Sequence, residues 1–156
     1  MKTSRQTMRN QIISCLVFVA CVVNAMAKTP YKTCGSKLGV ATNVSVSGCD
    51  SSPCILKKGS SIKITVNFTS HADVEKVEDA VSGIIDKIPV PFPTPHPNAC
   101  TTKGISCPLK KGQNYTYTSS TPVVASYPDL RLIVRWAIKD TNGDYVFCVL
   151  IPAELK

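Results

Sequence analysis

The chain is short of the side chains that do chemistry. Of its 156 residues only two are histidine and one is tryptophan, and 18% carry charge. It has no GxSxG, no HExxH and no glycine-rich phosphate loop, and its carboxylates are scattered. Nucleophile, base and metal ligands are therefore not gathered as a catalytic centre requires. His71 falls in a polar turn and His96 among prolines, positions where a histidine is ordinarily just solvated. These absences argue against an enzyme and against a bound metal or other cofactor. Lys57, Lys58, Lys63, Lys110 and Lys111 are spread out with no nucleic-acid motif beside them, which argues against a nucleic-acid partner.

Long apolar runs are also scarce, with one exception at the start. Lys2, Arg5 and Arg9 precede Ile12–Val23, and Ala25-Met-Ala27 follows. A run of about 12 residues is too short to cross a bilayer, and the small-x-small site after it marks a secretory signal peptide spanning 1–27. The remainder, 28–156, is the size of one domain and reads as a soluble, secreted monomer. Three of the 18 basic residues and none of the 10 acidic ones lie in the leader, so the mature chain carries 15 against 10, or +5. That surplus suits transient contact with anionic membranes.

Cys15 and Cys21 leave with the leader, and six cysteines remain: Cys34, Cys49, Cys54, Cys100, Cys107 and Cys148. An even number in a small secreted domain implies disulfides. Turn residues lie between Cys49 and Cys54 and between Cys100 and Cys107, so local pairing is the simplest of the fifteen arrangements. It leaves Cys34 with Cys148, a clasp between the two ends of the domain. Spacings of four and six intervening residues speak against a zinc site. Three acceptor sequons, at Asn43, Asn67 and Asn114, suit the same compartment, each on the polar side of an alternating segment.

Alternation is the main structural signal. Ser61–Thr69 puts Ile62, Ile64, Val66 and Phe68 on one face, and Leu130–Lys139 does the same with Leu132, Val134, Trp136 and Ile138. Both are half-buried strands. Asn142-Gly143 marks a hairpin turn. The return strand from Asp144 is apolar on both faces, belongs in the middle of a sheet, and is expected to end at Pro152. Val40–Val46 and Tyr115–Tyr117 add weaker strands, so an all-β antiparallel sandwich of six or seven strands is expected. Asp73–Ile88 is ambiguous. Val74, Val77, Val81, Ile84, Ile85 and Ile88 are spaced as on a helix, while Val77, Val81 and Ile85 also share a period-two face interrupted by Gly83.

Ile88-Pro-Val-Pro-Phe-Pro-Thr-Pro-His-Pro97 carries proline at every second position. In an extended strand this strips the donors from one edge and leaves Ile88, Val90 and Phe92 their N–H groups on the other. The segment reads as a stiff rim that cannot be extended by another strand. The prolines lack the spacing of a PxxP ligand.

Cys34-Gly-Ser36, the Cys49/Cys54 loop, Pro89-Val-Pro-Phe-Pro93, Cys107-Pro-Leu109, Tyr115-Thr-Tyr117, Tyr127-Pro128 and Phe147-Cys148 occur in this order. The ordered set resembles the small secreted Niemann-Pick type C, or epididymal secretory, proteins of the ML lipid-recognition domain family, over residues 34–152. The resemblance implies an immunoglobulin-like β-sandwich of two antiparallel sheets with a lipid cavity between them, three disulfides paired as above, and a strand rather than a helix before the proline rim. It implies a secreted, and also lysosomal, carrier of sterol or fatty-acyl ligands that exchanges them with membranes, with a membrane sterol-transport protein as acceptor. The alternative within the family is an innate-immunity or chemosensory protein that binds microbial lipids, fatty acids or semiochemicals. Matching motifs place Val46, Phe92, Val123, Tyr127, Pro128, Trp136 and Val149 along the ligand, with Val90 and Tyr117 near the entrance and Phe92 and Tyr127 guarding the mouth. Val149 stands where vertebrate-like members carry tryptophan, and Asp86-Lys87 precede the rim where apolar or small residues are usual; both departures imply a roomier, altered pocket.

Overall fold

The computed structural model describes residues 29–92, 94 and 96–156. The leader expected at 1–27 and the rim residues Pro93 and Pro95 lie outside the described residues. Among the described residues there are nine strands: β1 (Lys32–Thr33), β2 (Gly39–Val46), β3 (Cys54–Leu56), β4 (Ser61–Ser70), β5 (Glu78–Ile85), β6 (Ile88–Pro91), β7 (Asn114–Pro122), β8 (Leu130–Lys139) and β9 (Tyr145–Leu155). One short helix, α1 (Ala99–Thr102), interrupts them. The larger sheet runs β1-β9-β8-β5-β6, with β3 also beside β9, and the smaller runs β2-β4-β7. The sequence expectation of two antiparallel layers holds throughout except at β3, which pairs with β9 in parallel.

Alternation drives the layering. Ile64, Val66 and Phe68 on β4 and Leu132, Val134, Trp136 and Ile138 on β8 are all buried, and they face each other across the two sheets. Period two therefore decides β5 as well. Val77 and Val81 are buried, and Asp79 lies on the same face between them. The helical spacing over 73–88 is thus overridden by pairing with β8, with Val81 opposite Trp136.

The expected strand end at Pro152 is corrected. β9 continues through it to Leu155. The Cys34 N–H donates to the Cys148 carbonyl and the Lys156 N–H to Leu56, so the even residues of β9 turn their polar groups to the β1/β3 side. Pro152 falls between Leu150, the last β9 residue opposite β1, and Ala153, the first opposite β3. The missing N–H costs no ladder bond there.

The three disulfides are Cys34–Cys148, Cys49–Cys54 and Cys100–Cys107, as spacing suggested. The β8–β9 turn places Gly143 at φ 88°, a conformation that favours glycine, while the Asp140 carboxylate accepts from the Asn142 and Asp144 N–H groups.

The proline segment forms an edge. β6 pairs with β5 from Ile85↔Ile88 to Ser82↔Pro91, and the Phe92 N–H continues the ladder to the Val81 carbonyl at 3.0 Å. The even residues supply the donors, and Pro89 and Pro91 turn their donorless side outward, as the sequence required. Asp86 and Lys87, both at positive φ (49° and 70°), make the two-residue turn into β6. Two consecutive positive φ values match the right-handed twist of the flanking strands, so the charged pair that precedes the rim serves as its hairpin turn.

Candidate functional site

The two ends of the sandwich are filled differently. At one end Phe68, Tyr115, Tyr117 and Phe147 pack with ring centroids 5.3–5.5 Å apart. At the other the inward strand residues are mostly aliphatic, and with the rings of Phe92, Tyr127 and Trp136 they border a cavity of about 70 Å³ that Ile62, Val81 and Val123 also line. A smaller void of about 10 Å³, reaching Val46, Ile64 and Ile151, lies beside it. The Trp136 indole borders both.

Phe92 and Tyr127 stack over the larger cavity with centroids 6.3 Å apart. Gly83 seats the first of them. A Cβ there would stand 2.9 Å from Leu132 Cδ1 and 3.0 Å from Phe92 Cζ, so the ring occupies the notch that the absent side chain leaves. The glycine that interrupts the strand pattern is thus what allows an aromatic lid. Val123 is fixed from the opposite side by paired backbone bonds: its N–H donates to Ser60 at 2.8 Å, and its carbonyl accepts from Gly59 at 2.7 Å. A turn closed by the Tyr127 N–H to Val124 brings Tyr127 over the opening.

Beneath Trp136 the interior becomes polar. Its Nε1–H donates to the Tyr117 hydroxyl at 2.9 Å, and that hydroxyl donates to Asp79 Oδ1 at 2.8 Å. Lys103 Nζ lies 3.5 Å from Asp79 Oδ2 and donates to Ser119 Oγ at 2.8 Å. The Asp79 side chain is wholly buried, and Oδ2 has no hydrogen-bond partner. Burial pushes the Asp79 carboxyl up, against the opposing pull of the Tyr117 hydrogen bond and the Lys103 charge. Burial and the Asp79 charge push the Tyr117 phenol up, so it stays a neutral donor.

The positions singled out from the sequence separate into three groups. Phe92, Val123, Tyr127 and Trp136 border the larger cavity, and Val46 borders the smaller one. Tyr117 and Val149 are fully buried but border neither, and Tyr117 stands behind Trp136 rather than near an entrance. Val90 is 43% exposed and Pro128 is also on the surface. Val149 is the cross-strand partner of Trp136 on the inward face of the larger sheet, one side chain removed from the hollow. Sequence reasoning missed Leu56, Val81, Pro122, Val124 and Leu155 as cavity-bordering residues, and it gave no site role to Ile62, Leu132 and Val134 although their inward facing was legible. It also missed Asp79 altogether; a carboxylate on the inward face of an alternating segment was the available signal.

A β-sandwich packed with aromatics at one end and hollow, apolar and lidded at the other belongs to the class built around a hydrophobic pocket. The ML domain model matches residues 28–155, and the chain belongs to that family. It is 36% identical over 151 residues to the NPC intracellular cholesterol transporter 2 homolog a of Drosophila melanogaster, covering 96% of this chain and 99% of the relative. It is 38% identical to the NPC intracellular cholesterol transporter 2 of Bos taurus, over 90% of this chain and 94% of that one. Among solved structures, a Niemann-Pick type C2 protein from the Japanese carpenter ant superposes with a TM-score of 0.77 at 30% identity, covering 81% of this chain and 99% of that chain. Chicken MD-1, solved with lipid IVa, shares the fold at 15% identity and a TM-score of 0.51.

Proposed function

We propose that this protein is a secreted, non-enzymatic carrier that holds a sterol or fatty-acyl ligand between its two sheets and exchanges it with membranes. The observation that carries this reading is the lidded apolar cavity at one end of the sandwich, in a chain whose relatives include cholesterol transporters. Moving about 16 methylenes out of water is favourable by ~13 kcal/mol at ~0.8 kcal/mol each, so few polar anchors are needed. A bilayer offers nearly the same gain, so transfer at a membrane contact needs no energy source.

The cavity of about 70 Å³ falls well below the roughly 300 Å³ at which ligand pockets begin. Loading therefore opens the sandwich. The parts placed to move are the Phe92/Tyr127 pair and the turn carrying Val124. Ile88, Val90 and Val124, at 65%, 43% and 41% exposure, extend apolar surface from this end toward a membrane or an acceptor protein. Secretion, with or without passage through lysosomes, and the monomeric state belong to the same reading.

Native mass spectrometry of the secreted protein after incubation with a lipid extract, with displacement of a fluorescent sterol and a fluorescent fatty acid, tests it. Wild type is expected to retain one lipid. Val123→Phe, which fills the cavity, is expected to lose probe affinity at least tenfold while remaining folded. A wild-type protein that takes up neither probe overturns the proposal, and displacement by lipopolysaccharide in preference to sterol and fatty acid redirects it to microbial-lipid recognition.

A further inference from the structure

We propose that Asp79, acting through Tyr117, fixes the position of the Trp136 indole and thereby sets the length of hydrophobic ligand the sandwich accepts. This rests on the carrier reading above. A ligand entering past Phe92 and Tyr127 meets the rung Val81/Trp136 as its floor, since these residues pair across β5 and β8 and both border the cavity. The next inward rung is Asp79/Ile138, with Tyr117 reaching it from the opposite sheet. Trp136 also borders both the cavity of about 70 Å³ and the void of about 10 Å³, together with Leu56, Ile62 and Val134. Trp136 is the bulkiest side chain of that floor, so its position decides how far in a ligand reaches.

That side chain is pinned by a single chain of donors. A buried indole N–H must keep its acceptor, and the Tyr117 hydroxyl is the one it has. The hydroxyl can serve as acceptor in a fixed place because its own proton is committed to Asp79 Oδ1. Asp79 is held in turn: its N–H donates to the Pro97 carbonyl at 2.7 Å, and Lys103 balances its charge from 3.5 Å. Burying a carboxylate opposite aliphatic neighbours is costly for a stretch of core that a valine or leucine would fill. The placement is explained if rigidity at the floor is what it supplies. Asp79 is a positioning residue that touches no ligand.

The experiment is a competition series of saturated fatty acids from ten to twenty carbons against a fluorescent fatty acid, with the full secreted chain as wild type, Asp79→Asn, Asp79→Ala and Tyr117→Phe. One strand rung is ~6.8 Å, the length of about five methylenes, so freeing the indole is expected to move the optimum by up to about five carbons longer in Asp79→Ala and Tyr117→Phe. Asp79→Asn keeps an acceptor for the Tyr117 hydroxyl and is expected to keep the wild-type optimum. Trp136 is the sole tryptophan, so its emission reports the same event; it should shift in the two releasing variants and not in Asp79→Asn. If Asp79→Ala does not fold, Tyr117→Phe decides alone, because it removes one hydroxyl and leaves the ring. Unchanged optima in variants that bind as wild type does overturn the length gauge and leave the carrier standing. Failure of wild type to bind any chain length overturns the carrier and the gauge with it.

Discussion

The two ends of the sandwich are built from the same strands and end up doing opposite things. At the closed end Phe68, Tyr115, Tyr117 and Phe147 interlock, and Phe147 and Tyr117 are wholly buried. At the open end the same strands continue with Ile62, Thr121, Leu132 and Leu155, whose smaller side chains do not meet across the gap. Layer spacing is common to both ends, so the difference is side-chain volume. Stability and ligand uptake are thereby separated along the strand direction, and removing a ring should have opposite consequences at the two ends.

The sharpest way to break this comparison is a pair of truncations. Phe147→Ala at the closed end is expected to cost ~3–5 kcal/mol, as for other fully buried aromatics, read by urea unfolding. Phe92→Ala at the open end, where the ring is only partly buried, is expected to cost ~1 kcal/mol or less while weakening the retention of a bound lipid. Equal losses of stability would mean that the open end is ordinary core and that the lid is not a lid.

A smaller effect separates the polar floor from the rest. The Asp79 carboxyl is raised by burial, so the folded protein binds this proton more tightly than the unfolded chain. Stability from this group therefore rises as pH falls from neutral through the folded pKa, and it levels off below the unfolded value of ~3.9. Asp79→Asn has no such titrating group. The melting temperature of wild type, relative to Asp79→Asn, should climb between pH 8 and pH 4. Glu154, lowered by its hydrogen bond from Lys156, acts in the opposite sense but is common to both proteins and cancels. Parallel melting curves would show that folding does not raise the Asp79 carboxyl.

How much of this was legible depended on whether a position obeyed its strand's period. Ile62 to Phe68 alternates without exception and Leu132 to Ile138 departs from it only at Ile133 and Ala137 on the other face, so both strands were legible with their inward faces. In β5 the face Val77, Val81, Ile85 is broken at Asp79 and Gly83, and the competing helical spacing then looked as good. Those two exceptions are the positions that hold Trp136 through Tyr117 and seat Phe92. Local pattern was weakest where the site is built, because a site needs a residue that packing alone would not choose. Leu56 and Leu155 were invisible for another reason: β3 and the end of β9 meet through a parallel pairing about 100 residues apart in sequence, which no local period encodes.

The three sequons sharpen the comparison from the outside and carry the smallest expected effect. Asn43 pairs with Asn67, and the next ladder partners place Thr116 beside Asn67 and Asn114 beside Thr69, all on the outer face of the small sheet. Thr69 donates to the Asn114 side chain at 2.6 Å and Thr116 to that of Asn67 at 3.1 Å. This cluster is level with Phe68 and Tyr115, at the closed end, so glycans there would leave the Phe92/Tyr127 opening clear. Directly opposed side chains are only about 5 Å apart, so Asn43 and Asn67 should not both carry a glycan on one molecule, and intact mass spectrometry of the secreted protein should find at most two of the three sites filled. Replacing all three by glutamine should change stability by no more than ~0.5 kcal/mol and ligand affinity by less than twofold. A larger loss of affinity would place the entrance on the small sheet's face and not between Phe92 and Tyr127.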